Sequence, residues 1–233
     1  MNIRICQIQN ISEYKPAPDG QVLFVTSSRP VADFLSSKNE AVAIELSNEN
    51  ELSLWNGYKY FTINQGSNSG HLQKIFCHIK NIPFVIGEDD TICVREEKPD
   101  DLEDIYRLYE DSECKKYLEP LPGIDSVDKI ARFESVKSGY MLFEYGMWII
   151  EDKASGKVIG RVGFEYRDEN SVYIGFALIT SQRKKGIARK ACLLAINYLH
   201  EVLPDINVFA KVNPTNEASI NLLTSLCIPV ESL

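Results

Sequence analysis

Five cationic side chains gather around one glycine in the stretch SQRKKGIARKA, residues 181–191: Arg183, Lys184, Lys185, Arg189 and Lys190 about Gly186. The stretch lies between a strand-like apolar run ending near Ile179 and a run of helical period beginning near Ile187. The backbone N–H groups at that helix start therefore project from the positive end of its dipole, which is an anion site. Gly186 lets the chain turn tightly and lets a phosphate approach the backbone, and Ala188 keeps the first helical turn uncrowded. The neighbouring cations supply countercharge. The ligand favoured by this chemistry is a pyrophosphate. Two blander readings stay open: a solvated basic turn, and a small nucleic-acid patch of the kind that short Lys/Arg-rich runs suggest.

The rest of the chain narrows the choice. Over 233 residues the formal net charge is -8, so no broad basic face is available to neutralise a nucleic-acid backbone. The expected anionic ligand is small, and no nucleic-acid partner is expected. With 44% hydrophobic residues the chain can bury one large core or two small ones. Cys6, Cys77, Cys93, Cys114, Cys192 and Cys227 form no CxxC pair and have no histidine spacing for zinc, so free buried thiols and no metal site are expected. No stretch approaches the roughly 18 to 20 apolar residues of a membrane span, and MNIRICQIQN lacks the apolar core of a secretory signal. The expected setting is a reducing cytoplasm without a membrane partner.

The elements that must position the basic loop are legible as periodicities. QVLFVTSS reads as a strand, RPVADFLSSKNE as a helix with Ser28 at its cap and Pro30 in its first turn, and AVAIEL as a strand. A strand in YKYFTI and a helix in SGHLQKIFCHIK complete a small α/β unit. Ser27 and Ser28 could offer an anion site at that first helix, although plain capping explains them. A second unit opens with the strand and helix of TICVREEKPDDLEDIYRLYED, and SVDKIARFESVKSGY follows as a helix. YGMWIIEDK and KVIGRVGFEY then join through Ser155-Gly156, and SVYIGFALI follows, giving an antiparallel meander. Beyond it the stripe of Ile187, Ala191, Leu194, Ala195, Tyr198 and Leu199 marks a helix. INVFAKV is a strand and NEASINLLTSLC a further helix.

With the elements in place, the chain from about Thr91 to about Ile228 resembles the GNAT acetyltransferase superfamily. Arg183, Gly186 and Ala188 match its Q/RxxGxG/A loop after a strand and before a helix. The meander MWIIEDKASGKVIGRVGF resembles that of the ribosomal-protein N-terminal acetyltransferases. Asn216 and Ser219 match the family's NxxS helix start. The resemblance implies acetyl-CoA as co-substrate, held by Arg183, Lys184, Lys185, Gly186, Ile187, Ala188, Arg189, Asn216 and Ser219. It also implies a bulged strand at Phe176, Ala177 and Leu178 whose N–H polarises the thioester carbonyl, by oxyanion-hole logic.

The reaction implied is attack of a primary amine on that thioester. A free alkyl amine titrates near 10.4, so a base or a water chain is needed at neutral pH. Where many relatives place a glutamate just before the "IG" or "LG" of this strand, VYIGFAL offers Tyr173. Glu165 on the preceding strand is the better substitute and Glu144 the other, so Glu165 and Tyr173 are the candidate catalytic residues; surface carboxylates remain the bland alternative. The tyrosine that often serves the departing thiolate falls on Leu223, and the family's closing strand pair is expected to be missing after Ile228.

The fold expected is α/β: residues 1–88 as a small α/β domain of open role, then residues 89–233 as a GNAT-like mixed, mostly antiparallel sheet flanked by helices and lacking its last strands. The function expected is N-acetyl transfer to a peptide N-terminus or a small-molecule amine. The alternative is a non-catalytic acyl-CoA-binding module.

Overall fold

A computed structural model describes residues 3–46, 61–64, 66–118, 121 and 126–233. The chain separates into two compact units, Met1–Phe84 and Val85–Leu233.

The first unit contains β1 (Arg4–Gln7), β2 (Val22–Thr26), α1 (Arg29–Ser37), β3 (Ala41–Leu46), β4 (Phe61–Asn64) and α2 (Ser69–Ile79). Its sheet runs β1-β2-β3-β4 with every pair parallel. A parallel sheet must be covered on both faces, and alternation along the strands does this. Phe24, Val42 and Ile44 pack with Leu35 of α1, while Leu23, Val25 and Ala43 pack with Ile75 and Phe76 of α2. Ser28 occupies the cap of α1 without a side-chain cap bond, whereas Asn68 caps α2 by accepting from His71 N at 2.8 Å. The opening of the strand expected in YKYFTI, residues 58–60, and the SNEN loop lie outside the described residues.

The second unit contains β5 (Val85–Glu88), β6 (Ile92–Arg95), α3 (Leu102–Glu110), α4 (Ser126–Phe143), β7 (Met147–Asp152), β8 (Lys157–Asp168) and β9 (Ser171–Leu178). It continues through α5 (Ile187–Val202), β10 (Asn207–Val212), α6 (Glu217–Ser225) and β11 (Val230–Ser232). The seven strands lie in the order β11-β10-β9-β8-β7-β6-β5. From β5 to β9 all neighbours are antiparallel; β10 and β11 then add in parallel. This is the mixed, mostly antiparallel sheet expected. Trp148, Val162 and Phe164 point to one face, where Trp148 meets Phe164 and Tyr198 of α5 edge-on at centroid distances of 5.8 and 5.4 Å. Ile149 points to the other face and packs with Ile105 of α3.

Two expectations change. Residues 85–88 were assigned to the first domain, but as β5 they pair with β6, and Gly87 packs against Leu194 of α5. The boundary therefore falls before Val85. Residues 89 and 90 form a fixed turn: Asp89 Oδ1 accepts from Thr91 N at 2.7 Å and Ile92 N at 2.8 Å, and its Oδ2 meets Lys190 Nζ at 2.7 Å. The sheet also does not stop at β10. Pro229 turns the chain back so that Ala210 N donates to its carbonyl at 2.9 Å, and Val230, Glu231 and Ser232 pair with Ala210, Lys211 and Val212.

Candidate active site

Two neighbouring parallel strands make the site by parting. β9 and β10 pair only where Ser171, Val172 and Tyr173 meet Asn207, Val208 and Phe209. Beyond that point β10 turns to β11, and β9 runs on to Leu178 with its outer edge open. A cavity of about 850 Å³ fills the opening, walled by Phe176, Ala177 and Leu178, by the loop after β9, and by Asn216, Ser219 and Leu222 of α6.

The edge of β9 presents donors to this cavity. The expected bulge at Phe176–Leu178 is not there: Gly160, Arg161 and Val162 oppose Leu178, Ala177 and Phe176 in unbroken register, and the irregularity lies at Tyr166/Asp168 instead. Ile179 N donates to Ile159 O at 3.0 Å, which fixes the phase of the ladder. By alternation Ala177 also faces β8, and the N–H groups of Phe176 and Leu178 turn outward into the cavity. Departure of β10, not a bulge, frees them.

The loop follows from its glycine. Gly186 has φ +78 and is the N-cap of α5, and Lys184 is also left-handed at φ +60. The first bond within the helix runs from Lys190 N to Gly186 O at 3.2 Å, so the N–H groups of Ile187, Ala188 and Arg189 have no intrahelical acceptor. Ile187, Ala188, Lys184 and Gly186 all border the cavity.

The loop's cations are more constrained than a cluster of countercharges would be. Arg183 lines the cavity but turns inward, Nε donating to Leu178 O at 3.1 Å and Nη2 to Cys114 Sγ at 3.2 Å. Arg189 donates to Ser225 Oγ at 2.8 Å. Lys185 donates to Gln182 Oε1 at 2.9 Å and is not among the lining residues. Asn216 accepts from Ser219 N at 3.3 Å, so it caps α6 while bordering the same cavity. Glu113, Cys114 and Tyr117 complete the wall. They sit in turns between α3 and α4, where nothing in their spacing announced them. Burial pushes the Cys114 thiol up, against the opposing effect of Arg183, so this sulfur stays protonated rather than nucleophilic.

On the face of the sheet shared by Arg161, Gly163 and Glu165 lies a second cavity, of about 450 Å³. Arg161, Met147 and Glu165 border it from the sheet, and Tyr109, Arg132 and Phe143 from the helices and loops over it. Gly163 allows the close approach of Gly146, one of the lining residues, since a Cβ at this position would run into its carbonyl. Glu165 is exposed at the rim and directly opposes Tyr173 in the ladder. Tyr173 is committed elsewhere: its hydroxyl donates to Glu231 Oε2 at 2.6 Å, and Glu231 also meets Arg167 at 2.8 Å. The bond to Glu231 raises the Tyr173 phenol above its usual range and lowers the Glu231 carboxyl, with Arg167 adding to the latter. Glu231 lies beyond the last motif recognised in the sequence. Leu223 is a core residue at 1% exposure.

Against known proteins, residues 91–226 match the family profile described as "Acetyltransferase (GNAT) domain". The chain belongs to the GNAT acetyltransferase family. An N-acetyltransferase p20 of Bacillus licheniformis, itself uncharacterized, is 27% identical over 146 residues, 62% of this chain and 82% of its own. Two solved structures share the fold: a ribosomal-protein-S5-alanine acetyltransferase from Vibrio fischeri, 20% identical, TM-score 0.51, covering 62% of this chain and 81% of that one; and a ribosomal L7/L12 α-N-protein acetyltransferase in complex with coenzyme A, 17% identical, TM-score 0.52, covering 61% and 82%. This GNAT protein is an acetyl-CoA-dependent acetyltransferase, and its larger cavity suits that co-substrate: it combines open helix-end and strand-edge donors with volume for an extended ligand. Among the described residues no cluster of histidine, cysteine or carboxylate could hold a metal ion, and no helix is long and apolar enough to cross a membrane.

Proposed function

We propose that this acetyltransferase carries the acetyl group to a primary amine, a peptide N-terminus first and a small-molecule amine second. The observation that carries the proposal is that one strand pair borders both cavities. Phe176, Ala177 and Leu178 of β9 edge the larger one, and Arg161, the ladder partner of Ala177, edges the smaller one with Glu165. An amine seated on Glu165 is thereby held a few residues from the outward N–H groups of β9.

Bound acetyl-CoA supplies the activated acyl group. The chain's own part begins at the loop: the N–H groups of Ile187, Ala188 and Arg189 and the backbone at Lys184 and Gly186 hold the pyrophosphate, with Asn216 and Ser219 on the facing helix. Arg183 fixes the loop to β9 through Leu178 O, which makes it a positioning residue as well as a source of field. Lys185 adds field from the outside. Phe176 N–H and Leu178 N–H donate to the acyl oxygen as negative charge develops on it, where preorganised donors commonly contribute about 2.7 to 4 kcal/mol each. Glu165 takes one proton of the incoming ammonium; the freed amine forms the N–C bond as the thioester C–S bond breaks, and the departing thiolate takes up the second amine proton and leaves as the thiol. Tyr173, its proton directed to Glu231, positions β9 against β11 rather than delivering a proton. Holding two reactants in register alone can remove about 7 to 11 kcal/mol of a bimolecular barrier.

The test is steady-state thiol release with acceptors that differ in class: short peptides with free and blocked N-termini beside alkyl and aryl amines. Turnover on free N-termini that vanishes on blocking supports a peptide acceptor. Turnover on small amines with none on peptides assigns the second class.

A further inference from the structure

Arg161 is a buried cation short of acceptors. Its side chain is 5% exposed and borders the smaller cavity. Its contacts are long: Nη1 to Tyr109 Oη at 3.4 Å, Nη2 to Met147 O at 3.3 Å and to Glu97 Oε2 at 3.4 Å, while Nε is buried and meets no acceptor. Glu97, fully buried, is already held by Arg132, whose Nη1 and Nη2 lie 2.5 and 3.1 Å from its two oxygens. Two guanidiniums thus share one carboxylate. Arg95, by contrast, holds Asp101 and Glu151 at 2.7 Å each. Arg161 is thus the most weakly held guanidinium of this cluster, with a buried Nε that no acceptor meets, a costly arrangement unless a ligand compensates it.

The geometry points to an acceptor amine that carries a carboxylate close to the amine. We propose that the carboxylate takes the Nε/Nη2 edge of Arg161, a fork that matches two coplanar oxygens, and that the amine lies toward Glu165 at the rim. The cavity is then bipolar, cationic at its wall and anionic at its mouth, and selects a zwitterionic end. The apolar part of the acceptor meets Tyr109, Phe164 and the exposed rings of Phe143 and Tyr166. This inference rests on the assignment of the smaller cavity to the acceptor. The carboxylate can be that of a free amino acid or the side chain of an acidic N-terminal residue of a peptide; the chemistry at Arg161 is shared.

The experiment uses matched pairs on the full chain: L-phenylalanine against L-phenylalaninamide, and the dipeptide amides Asp-Ala against Asn-Ala. Thiol release gives kcat/KM for each. Calorimetry with coenzyme A present gives the affinity of the N-acetylated form of each, which needs no turnover. The expected result is at least a tenfold preference for the carboxylate member of one pair, and the pair that shows it identifies the source. In Arg161→Gln the ratio collapses toward one, and in Arg161→Lys, which keeps the charge but loses the fork, it falls between. Ratios within threefold for both pairs on the wild-type chain overturn the proposal, whether or not the variants fold. Turnover without preference removes this proposal and leaves amine transfer standing; carboxylate-dependent binding without turnover does the reverse.

Discussion

Glu165 and Tyr173 are directly opposed Cα partners in the β8–β9 ladder. Their fates differ because of what lies on either side. The Tyr173 hydroxyl reaches past β10 and donates to Glu231 of β11, whereas Glu165 stands exposed at the rim of the smaller cavity with no hydrogen-bond partner among the described residues. Of the two, Glu165 is the side chain left open to an acceptor.

Replacing it separates deprotonation from positioning. Glu165→Gln should lower turnover at neutral pH by more than tenfold, within the 10²- to 10⁴-fold a general base supplies. The deficit should shrink as the pH approaches that of the free amine, where deprotonated acceptor is already abundant. A pH profile of kcat/KM for both proteins checks this. Profiles that superimpose at every pH would make Glu165 a surface residue and leave deprotonation to water or to Glu144.

Gly186 should tolerate a side chain spatially but not conformationally. Nothing lies within 4 Å of a Cβ built there, so the cost of substitution is the left-handed backbone itself, about 1 to 2 kcal/mol for an ordinary residue and more for a β-branched one. Gly186→Val should weaken acetyl-CoA binding at least tenfold by calorimetry, and Gly186→Asn, which accepts that conformation, should weaken it less. Equal affinity in a folded valine variant would remove the loop from the binding site.

A fragment spanning 85–233 should fold and bind acetyl-CoA, and one beginning at Asp89 should be less stable. The shorter piece lacks β5, whose Ile86 is 9% exposed and whose Gly87 touches Leu194 of α5. Thermal unfolding of the two fragments distinguishes them. Identical midpoints would mean that β5 is dispensable.

Asp89 ties the β5–β6 turn to α5, and its carboxyl is held well below the usual range, first by the bond from Lys190 and then by the turn N–H groups. A depressed folded-state pKa gives stability that is present above the ordinary carboxylate value near 3.9 and lost as the pH falls below it. Asp89→Asn should therefore destabilise the second unit at pH 7, and the difference from wild type should diminish under acid. Denaturant titrations at pH 7 and near pH 3 measure it. A difference that stays constant would show that the depressed carboxyl is not the source of the effect.

How much of this was legible depended on range. The meander, the helix stripe through Ala191, Ala195 and Leu199, and the Gly186 loop are local patterns, and each announces itself in a few residues. β1 escaped notice because all four of its residues are exposed and show no apolar alternation. β5 escaped because Val85 and Glu88 are exposed and Gly87 reads as a turn. β11 is three residues long and exists through its pairing with β10. At the site, the open edge of Phe176 and Leu178 was expected from a bulge and comes instead from strand divergence, a tertiary event. The sharing of Glu97 by Arg132 and Arg161 joins residues 35 and 64 positions apart, which no spacing rule reaches.

Amine acetylation is proposed to need the open edge of β9 and the neighbouring cavity together. The most direct test is to incubate the full chain with acetyl-CoA and a panel of primary amines, following thiol release and identifying the product by mass spectrometry. Thiol should appear one for one with N-acetylated acceptor. Acetyl-CoA that binds but yields only acetate, or no thiol with any primary amine, would contradict it.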